Sequence, residues 1–241
     1  MATGSLSHGP FPPTSLGLVR RLAVPGPEVW DEFYRRYARP MLVFALLERR
    51  LKQNDAEDMV HGFLAYLMEG PRMKAFDPAQ GRFRSWLLLL FKRFHKDRTV
   101  EERAAKRGGG WMRVGDVESR VAEYRAGGVD PQRAFEREWA LASVRDAVAA
   151  CERALAAAGE LDAARWLEAR YRGPLEAGGE RPSRTAAGKA LKLTEGRAKA
   201  TEKRVKGLLR SCLEAQVKAD FGEAAGEELE AGLKELLDAL G

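Results

Sequence analysis

The sequence predicts an all-α fold made of two small helical domains, a linker between them and an acidic C-terminal helix. Runs of β-branched residues and strict alternation of apolar with polar residues are scarce, which disfavours strands. Ala, Leu, Arg and Glu dominate, and apolar residues recur three and four positions apart, as on one face of a helix. The length of 241 residues suits one or two domains. A content of 45% hydrophobic and 32% charged residues is typical of a globular protein.

Glycine and proline mark the borders of the predicted domains. The start of the chain is rich in Pro, Ser and Gly, and the triplet Gly108-Gly109-Gly110 interrupts a helical pattern. The expected parts, in chain order, are a flexible leader (1–15), a first helical domain (16–107), a linker with room for one short helix (108–133), a second helical domain (134–217) and an acidic tail (218–241).

Three helices are predicted for the first domain, at about 27–51, 55–69 and 83–106. Pro40 either kinks the first of them or begins a new helix there, because proline lacks a backbone N–H. Asn54 or Asp55 is expected to cap the second, and Gly70 followed by Pro71 to end it.

Four helices are predicted for the second domain, at about 135–158, 161–171, 183–191 and 195–217, with a loop at 173–182. The last two are separated only by Lys192 and Leu193, and Thr194 is the expected N-cap of the final helix. Two helices joined by so tight a turn are typical of a helix-turn-helix. Small residues are needed where such helices cross, and Ala186, Ala187 and Gly188 supply them.

The final predicted helix has an apolar and a basic side. The residues expected to face inward are Ala198, Thr201, Val205, Leu208 and Leu209. The residues left on the outward side, where they can reach phosphates or base edges, are Arg197, Lys199, Lys203, Arg204 and Lys206. An ordinary amphipathic helical hairpin is the alternative interpretation of this segment.

Positive charge is concentrated in two blocks. Residues 71–110 hold eleven Lys and Arg against four Asp and Glu, and 183–218 hold ten against three, so each block has a net charge of +7. The flanking sequence is neutral or acidic, and 219–241 has a net charge of −6. Two such blocks favour a bipartite binder of a polyanion such as nucleic acid. Two solvated helix faces are the alternative.

Three segments and the C-terminal hairpin together resemble bacterial RNA polymerase sigma factors of the extracytoplasmic-function (ECF) type. The segments are DAEDMVHGF at 55–63, FDPAQGRFRSWL at 76–87 and KRGGG at 106–110. The resemblance covers about 16–217 and implies a sigma region 2-like helical bundle followed by a sigma region 4-like helix-turn-helix domain. It also implies a function: binding core RNA polymerase and directing promoter recognition, promoter melting and transcription initiation.

The resemblance assigns roles to particular residues. The acidic helix of such factors docks on the clamp helices of the largest polymerase subunit, which implies polymerase binding by Asp55, Glu57, Asp58 and His61. The following helix and the loop before it read and open the minus-ten element, which implies DNA binding by Arg82, Arg84, Trp86, Lys92, Arg93, Lys96 and Arg98. The second domain reads the minus-thirty-five element and contacts the flap of the second-largest subunit, which implies DNA binding by Arg184, Arg197, Lys199, Lys203 and Arg204.

Aromatic residues of the minus-ten segment include candidates for stacking on a flipped base. They are Phe83, Trp86, Phe91 and Phe94, and most of them are expected in the core.

Other classes of protein find little support. Apolar runs such as 86–91 are far shorter than the roughly 20 residues that cross a bilayer, so a soluble, cytoplasmic protein is expected, and the resemblance implies association with the nucleoid. Cys151 and Cys212 have no metal-ligand spacing, and we expect no metal, no cofactor and no catalysis. The alternatives are a helix-turn-helix regulator that has lost polymerase binding and a partner-sequestering protein. The expected partners are core polymerase and promoter DNA. An anti-sigma factor or another regulatory protein is a further candidate partner.

The chain departs from the family pattern at three places and adds a tail. His61 and Gly62 stand where relatives often carry Gln and an acidic residue, Lys192 where Gly is usual, and Ala198 where a larger branched residue is expected. The acidic tail is expected to cover the core of the second domain, with restraint of the basic hairpin as the alternative.

Overall fold

The computed structural model describes residues 27–69, 71–77, 83–101, 117–177, 180–221 and 234. Every regular element in these ranges is helical, as predicted. The chain divides into two compact units: 1–140 together with 218–241 forms unit 1, and 141–217 forms unit 2. The leader and most of the acidic tail fall outside the described residues.

Unit 1 contains helices from the first half of the chain. They are α1 (Pro27–Arg49), α2 (Gln53–Met68), a short 3-10 helix (Pro71–Ala75), α3 (Phe83–Glu101), α4 (Glu118–Ala126) and the first part of α5 (Pro131–Ala157). Helix α4 lies in the segment predicted as a linker with room for one short helix.

Helix α1 continues through Pro40, so no second helix begins there. Proline leaves the carbonyl four residues earlier without its usual backbone donor, which normally costs stability. Tyr37, Met41 and Phe44 are almost completely buried around this position. Burial of these large side chains offsets the missing hydrogen bond.

Helix α2 begins about two residues earlier than predicted. The prediction that Asn54 or Asp55 is its N-cap is therefore wrong. Its first residue is Gln53, and the side chain of the preceding Lys52 makes no capping hydrogen bond. The Gln53 amide instead donates to Glu57 Oε1 at 2.9 Å, one helical turn later. Asp55 still lies in the first turn, where a negative charge is favourable.

Aromatic rings form the core of unit 1 where α1, α2 and α3 pack together. Phe33 and Phe83 meet edge to face, with ring centroids 6.3 Å apart. The ring centroid of Phe63 lies 4.9 Å from that of Phe91 and 5.4 Å from that of Phe94. Three of the four aromatics that were candidates for base stacking are therefore core residues, as was expected for most of them.

A buried carboxylate joins α5 to the rest of unit 1. Glu138 is fully buried, and its Oε2 accepts a hydrogen bond from Arg39 Nε at 2.9 Å. Its Oε1 accepts one from the Tyr124 hydroxyl at 2.8 Å and lies 3.4 Å from Arg120 Nε. Because these partners come from α1 and α4, unit 1 extends to residue 140, beyond the predicted start of the second domain at 134.

Unit 2 contains the remainder of α5 and the following helices. These are α6 (Leu161–Leu167), a π-helical turn (Glu168–Arg172), α7 (Gly173–Ala177), α8 (Arg184–Ala190) and α9 (Glu195–Phe221), which runs past the end of the unit.

The loop predicted at 173–182 is wrong for its first half, because α7 occupies it. Pro174 is the second residue of α7, which follows directly on the π-helical turn. Gly173 precedes it because a Cβ there would lie 3.2 Å from the Glu168 carbonyl oxygen. The helical path therefore continues through a Gly-Pro pair that usually indicates a turn.

The core of unit 2 includes both cysteines. Cys151 on α5 is fully buried, and Cys212 on α9 packs against the same cluster of buried side chains. Burial raises the pKa of the Cys151 thiol to about 11, so the neutral thiol persists at neutral pH. Cys151 is therefore a buried core residue, and Cys212 is half-buried.

Candidate nucleic-acid interface

Helices α8 and α9 are joined by a four-residue turn with defined caps at both helix starts. The Ser183 hydroxyl accepts from the Ala186 N–H at 3.1 Å and caps α8. The Thr194 hydroxyl accepts from the Arg197 N–H at 3.3 Å, which confirms the predicted N-cap of α9. Between them Lys192 has φ of 54°, a left-handed conformation that glycine adopts most easily.

Small residues let α8 and α9 approach closely. Ala187 and Ala198 are 2% and 4% exposed, and a Cβ added to Gly188 would lie 3.2 Å from the Ala198 Cβ. Val205 and Leu209 continue the buried side of α9. The small Ala198 therefore fits this contact, where a larger branched side chain would collide with α8.

The outward side of α9 is basic, as predicted. The exposed cations are Arg197, Lys199, Lys203, Arg204 and Lys206. Lys199, Lys203, Lys206 and Arg210 are spaced by four, three and four residues, so they form one row along three turns. We call these four residues the cation row.

Two arginines of α9 form ion pairs with the start of α6. Arg197 Nη2 lies 3.1 Å from Asp162 Oδ2, and Arg204 Nη2 lies 2.6 Å from Glu160 Oε1. Arg204 Nε also donates to both Glu160 oxygens. Hydrogen bonding from Arg204 holds the pKa of Glu160 below its usual range. These arginines are exposed, but each already has a carboxylate partner.

The two ion pairs border an open cleft of about 520 Å³. Gly159 turns the chain here with φ of 69° and brings Glu160 and Asp162 opposite α9. Nothing in the local sequence around Arg197 or Arg204 identifies partners 35 and 44 residues away. These contacts were missed because only the tertiary fold creates them.

Lys199 and Lys203 differ from the two arginines. Among the described residues neither lysine has a carboxylate partner or another polar side-chain contact. Lys206 is 3.2 Å from Glu202, and Arg210 is 2.8 Å from Glu214, both within α9. Lys199 and Lys203 are therefore the cations of the row with the greatest freedom to take a new anionic partner.

The predicted polymerase-docking residues of α2 are divided by burial. Asp55 and Asp58 are exposed, whereas Glu57 is 9% exposed and already accepts from Gln53. Glu57 is thus a poor candidate for direct docking, because its position packs toward the interior of unit 1.

His61 is half-buried beside another ring of unit 1. Its Nε2 lies 3.3 Å from the Tyr34 hydroxyl, and the two rings stack with centroids 6.1 Å apart. Burial lowers the pKa of His61, and the nearby Glu57 and Asp58 only partly oppose this effect. A neutral imidazole at neutral pH follows, so His61 adds no positive charge to the acidic surface.

Arg84, predicted to follow DNA phosphates, is a buried residue and this prediction is corrected. It is 4% exposed, and its guanidinium carbon lies 3.6 Å from the centroid of a Trp139 ring. The cause is the position of Arg84 on the side of α3 that packs against α5, where it makes a cation–π contact. On the same helix Arg93 is exposed, and Lys92 is half-buried with its ammonium 5.2 Å from the Phe44 ring.

Trp86 is the partly exposed aromatic of the minus-ten candidates. Its ring centroid is 5.5 Å from that of Phe76 and 5.6 Å from that of Phe83. These neighbours hold one part of the indole and leave another accessible to solvent. Arg82 and the side chains of Lys96 and Arg98 lie outside the described residues.

No family model, no curated protein and no solved structure matches the chain. Within the described ranges, no group of three or more His, Cys, Asp or Glu residues could hold a metal ion. The helices in those ranges also include none with the length and apolar character that crossing a membrane requires.

Proposed function

We propose that the protein is a sigma-type transcription initiation factor that binds core RNA polymerase and promoter DNA, without catalysis of its own. The carrying observation is the cation row on the exposed side of α9, the second helix of a closely packed helix-turn-helix. In DNA-binding helix-turn-helix proteins the second helix enters the major groove, and exposed cations beside it contact phosphates.

The dimensions of the cation row support DNA binding. Lys199 and Arg210 are eleven positions apart, which is about 16 Å along a helix. Such a length follows several phosphates of a duplex, and each neutralised phosphate releases counterions and contributes to affinity. Lys199 and Lys203 lie nearest the N-terminal end of α9, the end that approaches base edges in this class.

The acidic surface of α2 supports polymerase binding as the second part of the proposal. Asp55 and Asp58 are exposed one turn apart, and together they form a negative patch for a basic partner. The proposed partner there is the clamp-helix surface of the largest polymerase subunit, with the flap of the second-largest subunit as a second contact for unit 2.

A comparison of magnitudes explains why polymerase is needed for melting. Opening about ten base pairs forfeits about 14 kcal/mol of stacking, at about 1.4 kcal/mol per step. Capture of a base by an aromatic ring returns about 1 to 3 kcal/mol. Trp86 is partly exposed, while Phe83, Phe91 and Phe94 are buried. The remaining free energy must come from a larger enzyme that grips duplex and single strands, so the free protein is expected to bind promoters weakly.

The test is reconstituted transcription with core polymerase and a promoter selected by the holoenzyme. We expect the double variant Lys199→Ala with Lys203→Ala to reduce promoter-directed transcripts by about tenfold at 0.15 M salt and to retain polymerase binding. Arg153→Ala is the matched control, because Arg153 is exposed in unit 2 on α5. Transcription by the double variant at the wild-type level would contradict the proposed role of the cation row.

Burial of Glu57 favours one alternative, a helix-turn-helix regulator that does not bind polymerase. With Glu57 engaged by Gln53, the docking surface keeps fewer free carboxylates than the sequence predicts. Pull-down with core polymerase separates the two functions. A sigma factor is retained by the polymerase, and retention is weakened by Asp58→Ala, whereas the regulator binds duplex DNA and is not retained.

A further inference from the structure

One carboxylate of unit 2 is surrounded by four cations. Glu202 on α9 is 8% exposed. The nitrogen-to-oxygen distances from its carboxylate are 3.2 Å to Lys206, 3.6 Å to Arg170, 3.7 Å to Arg184 and 3.8 Å to Arg181. We call these five residues the Glu202 cluster. Its formal net charge is +3, so positive charge exceeds what the structure itself neutralises.

The floor of the Glu202 cluster is a buried guanidinium with unused donors. The Arg170 side chain is 9% exposed, and its Nε and Nη1 have no hydrogen-bond partner among the described residues. A buried donor without an acceptor costs roughly 1 to 3 kcal/mol, and more when it is charged. Glu202, which lies 3.6 Å from Arg170 Nη2, offsets part of this cost.

The rim of the Glu202 cluster is oriented by aromatic contacts. The Arg181 guanidinium carbon lies 4.2 Å from the Tyr171 ring centroid, and its Nη2 donates to the Tyr171 hydroxyl at 2.7 Å. Among the described residues, the side chain of Arg184 makes no hydrogen bond. Its ion pair with Glu202 has a nitrogen-to-oxygen distance of 3.7 Å. Both arginines are about 40% exposed, so their remaining N–H groups reach solvent.

The Glu202 carboxylate holds the four cations of the cluster in place. Burial opposes its ionisation, but Lys206, Arg170 and Arg184 outweigh this effect and hold its pKa below the usual range. The carboxylate therefore stays charged at neutral pH and keeps four mutually repelling cations together. A second anion can then bind to the same cations at lower cost, because their positions are already fixed.

We propose that the Glu202 cluster is a phosphate-binding site that takes a backbone phosphate of the DNA alongside α9. This inference rests on the proposed function. The planar fork of an arginine suits phosphate oxygens, and three such forks converge here. The DNA backbone is the favoured source of the phosphate because Lys206 belongs both to the Glu202 cluster and to the cation row. One strand can thus follow the row and reach the cluster without leaving α9.

The experiment measures the salt dependence of duplex binding by the full chain, using fluorescence anisotropy at low ionic strength. Arg181→Ala and Arg184→Ala remove exposed members of the Glu202 cluster and leave the buried Arg170 in place, so folding is preserved and is checked by circular dichroism. Each lost phosphate contact is expected to reduce the slope of log K against log salt by about 0.9. The double variant should reduce affinity at least fivefold, and the matched control Arg165→Ala, also exposed in unit 2, should not.

Three outcomes separate this inference from the proposed function. In the first outcome, the Arg181→Ala, Arg184→Ala double variant keeps the wild-type slope and affinity, while the Lys199→Ala, Lys203→Ala double variant binds more weakly. This outcome would overturn the phosphate-binding role of the Glu202 cluster and leave the proposed function standing. Wild-type slope and affinity in both double variants would overturn the cluster and the proposed role of the cation row together. In a parallel titration, binding of inorganic phosphate that depends on Arg181 and Arg184, together with unchanged duplex binding, would overturn the DNA backbone as the source.

Discussion

The two basic helices α3 and α9 place similar side chains in opposite environments. On α3, Arg84 is 4% exposed beneath Trp139, and Lys92 rests over the Phe44 ring. On α9, Lys199 and Lys203 are exposed and have no carboxylate partner among the described residues. Blocks of equal net charge in the sequence therefore differ in how many cations can reach a ligand.

The difference follows from how much of each helix is buried. Helix α3 packs with Phe83, Leu87 and Phe91 against α1 and α2, and with Arg84 against α5. Helix α9 has one buried stripe, which includes Ala198, Val205 and Leu209. A helix covered on two sides must bury some of its charges, and it then uses their stems and π contacts for stability.

The largest effect is expected when the buried charge system of unit 1 is broken. Glu138→Ala leaves Arg39, Arg120 and the Tyr124 hydroxyl without their shared acceptor, and the free energy of unfolding should fall by about 3 to 5 kcal/mol. Urea denaturation measures this change. Glu123→Ala is the control, because Glu123 is exposed and its pair with Arg120 should contribute less than about 1 kcal/mol. Equal stability of both variants would show that Glu138 is not structural.

A smaller effect on stability is expected for the buried arginine of α3. Arg84→Ala removes the cation–π contact with Trp139 and leaves a gap, and the free energy of unfolding should fall by about 2 kcal/mol. Arg93→Ala, at an exposed position of the same helix, should change it by less than about 0.5 kcal/mol.

The substitutions of Arg84 and Arg93 are also expected to differ in their effect on DNA binding. Under the proposed function, loss of Arg93 should weaken binding of the single-stranded minus-ten segment in the holoenzyme. A stable Arg84→Ala protein with the larger defect in this binding would contradict the assignment of Arg84 to packing.

The smallest effect is expected from freeing the paired arginines of α9. Glu160→Gln with Asp162→Asn removes two carboxylates beside Arg204 and Arg197, and duplex affinity should rise by about two- to fivefold at low salt. Thermal stability should hardly change, because these pairs are exposed. Asp146→Asn, which removes one negative charge from α5 in the same unit, is the control for each of the two single substitutions.

The pH dependence sharpens this prediction. The pKa of Glu160 is lowered by Arg204, so the pair is present above the ordinary glutamate pKa and is lost only as pH falls through the lowered value. The affinity difference between wild type and the Glu160→Gln, Asp162→Asn variant should therefore stay constant from pH 6 to pH 8. A difference that disappears within this range would show that another group controls the affinity.

Local chemistry predicted several features of the proposed site from sequence. Thr194 caps α9 because its hydrogen-bond partner is three residues away, and Ala198 packs inward because the apolar period of α9 places it on the buried side. The same reasoning failed where a local signal had a stronger competitor. Pro40 and the Gly173-Pro174 pair both read as breaks, and buried neighbours or a π-helical turn carried the helix through them.

The sequence by itself determined that the described chain is helical, where most of the turns between helices lie and which face of α9 is apolar. It could do so because periodicity and caps act over one or two helical turns. Only the tertiary structure decided which cations are available. Trp139 covers Arg84 across 55 positions, and Glu160 meets Arg204 across 44. Charge is a property of composition, but access to charge depends on burial and on partners that folding brings from distant parts of the chain.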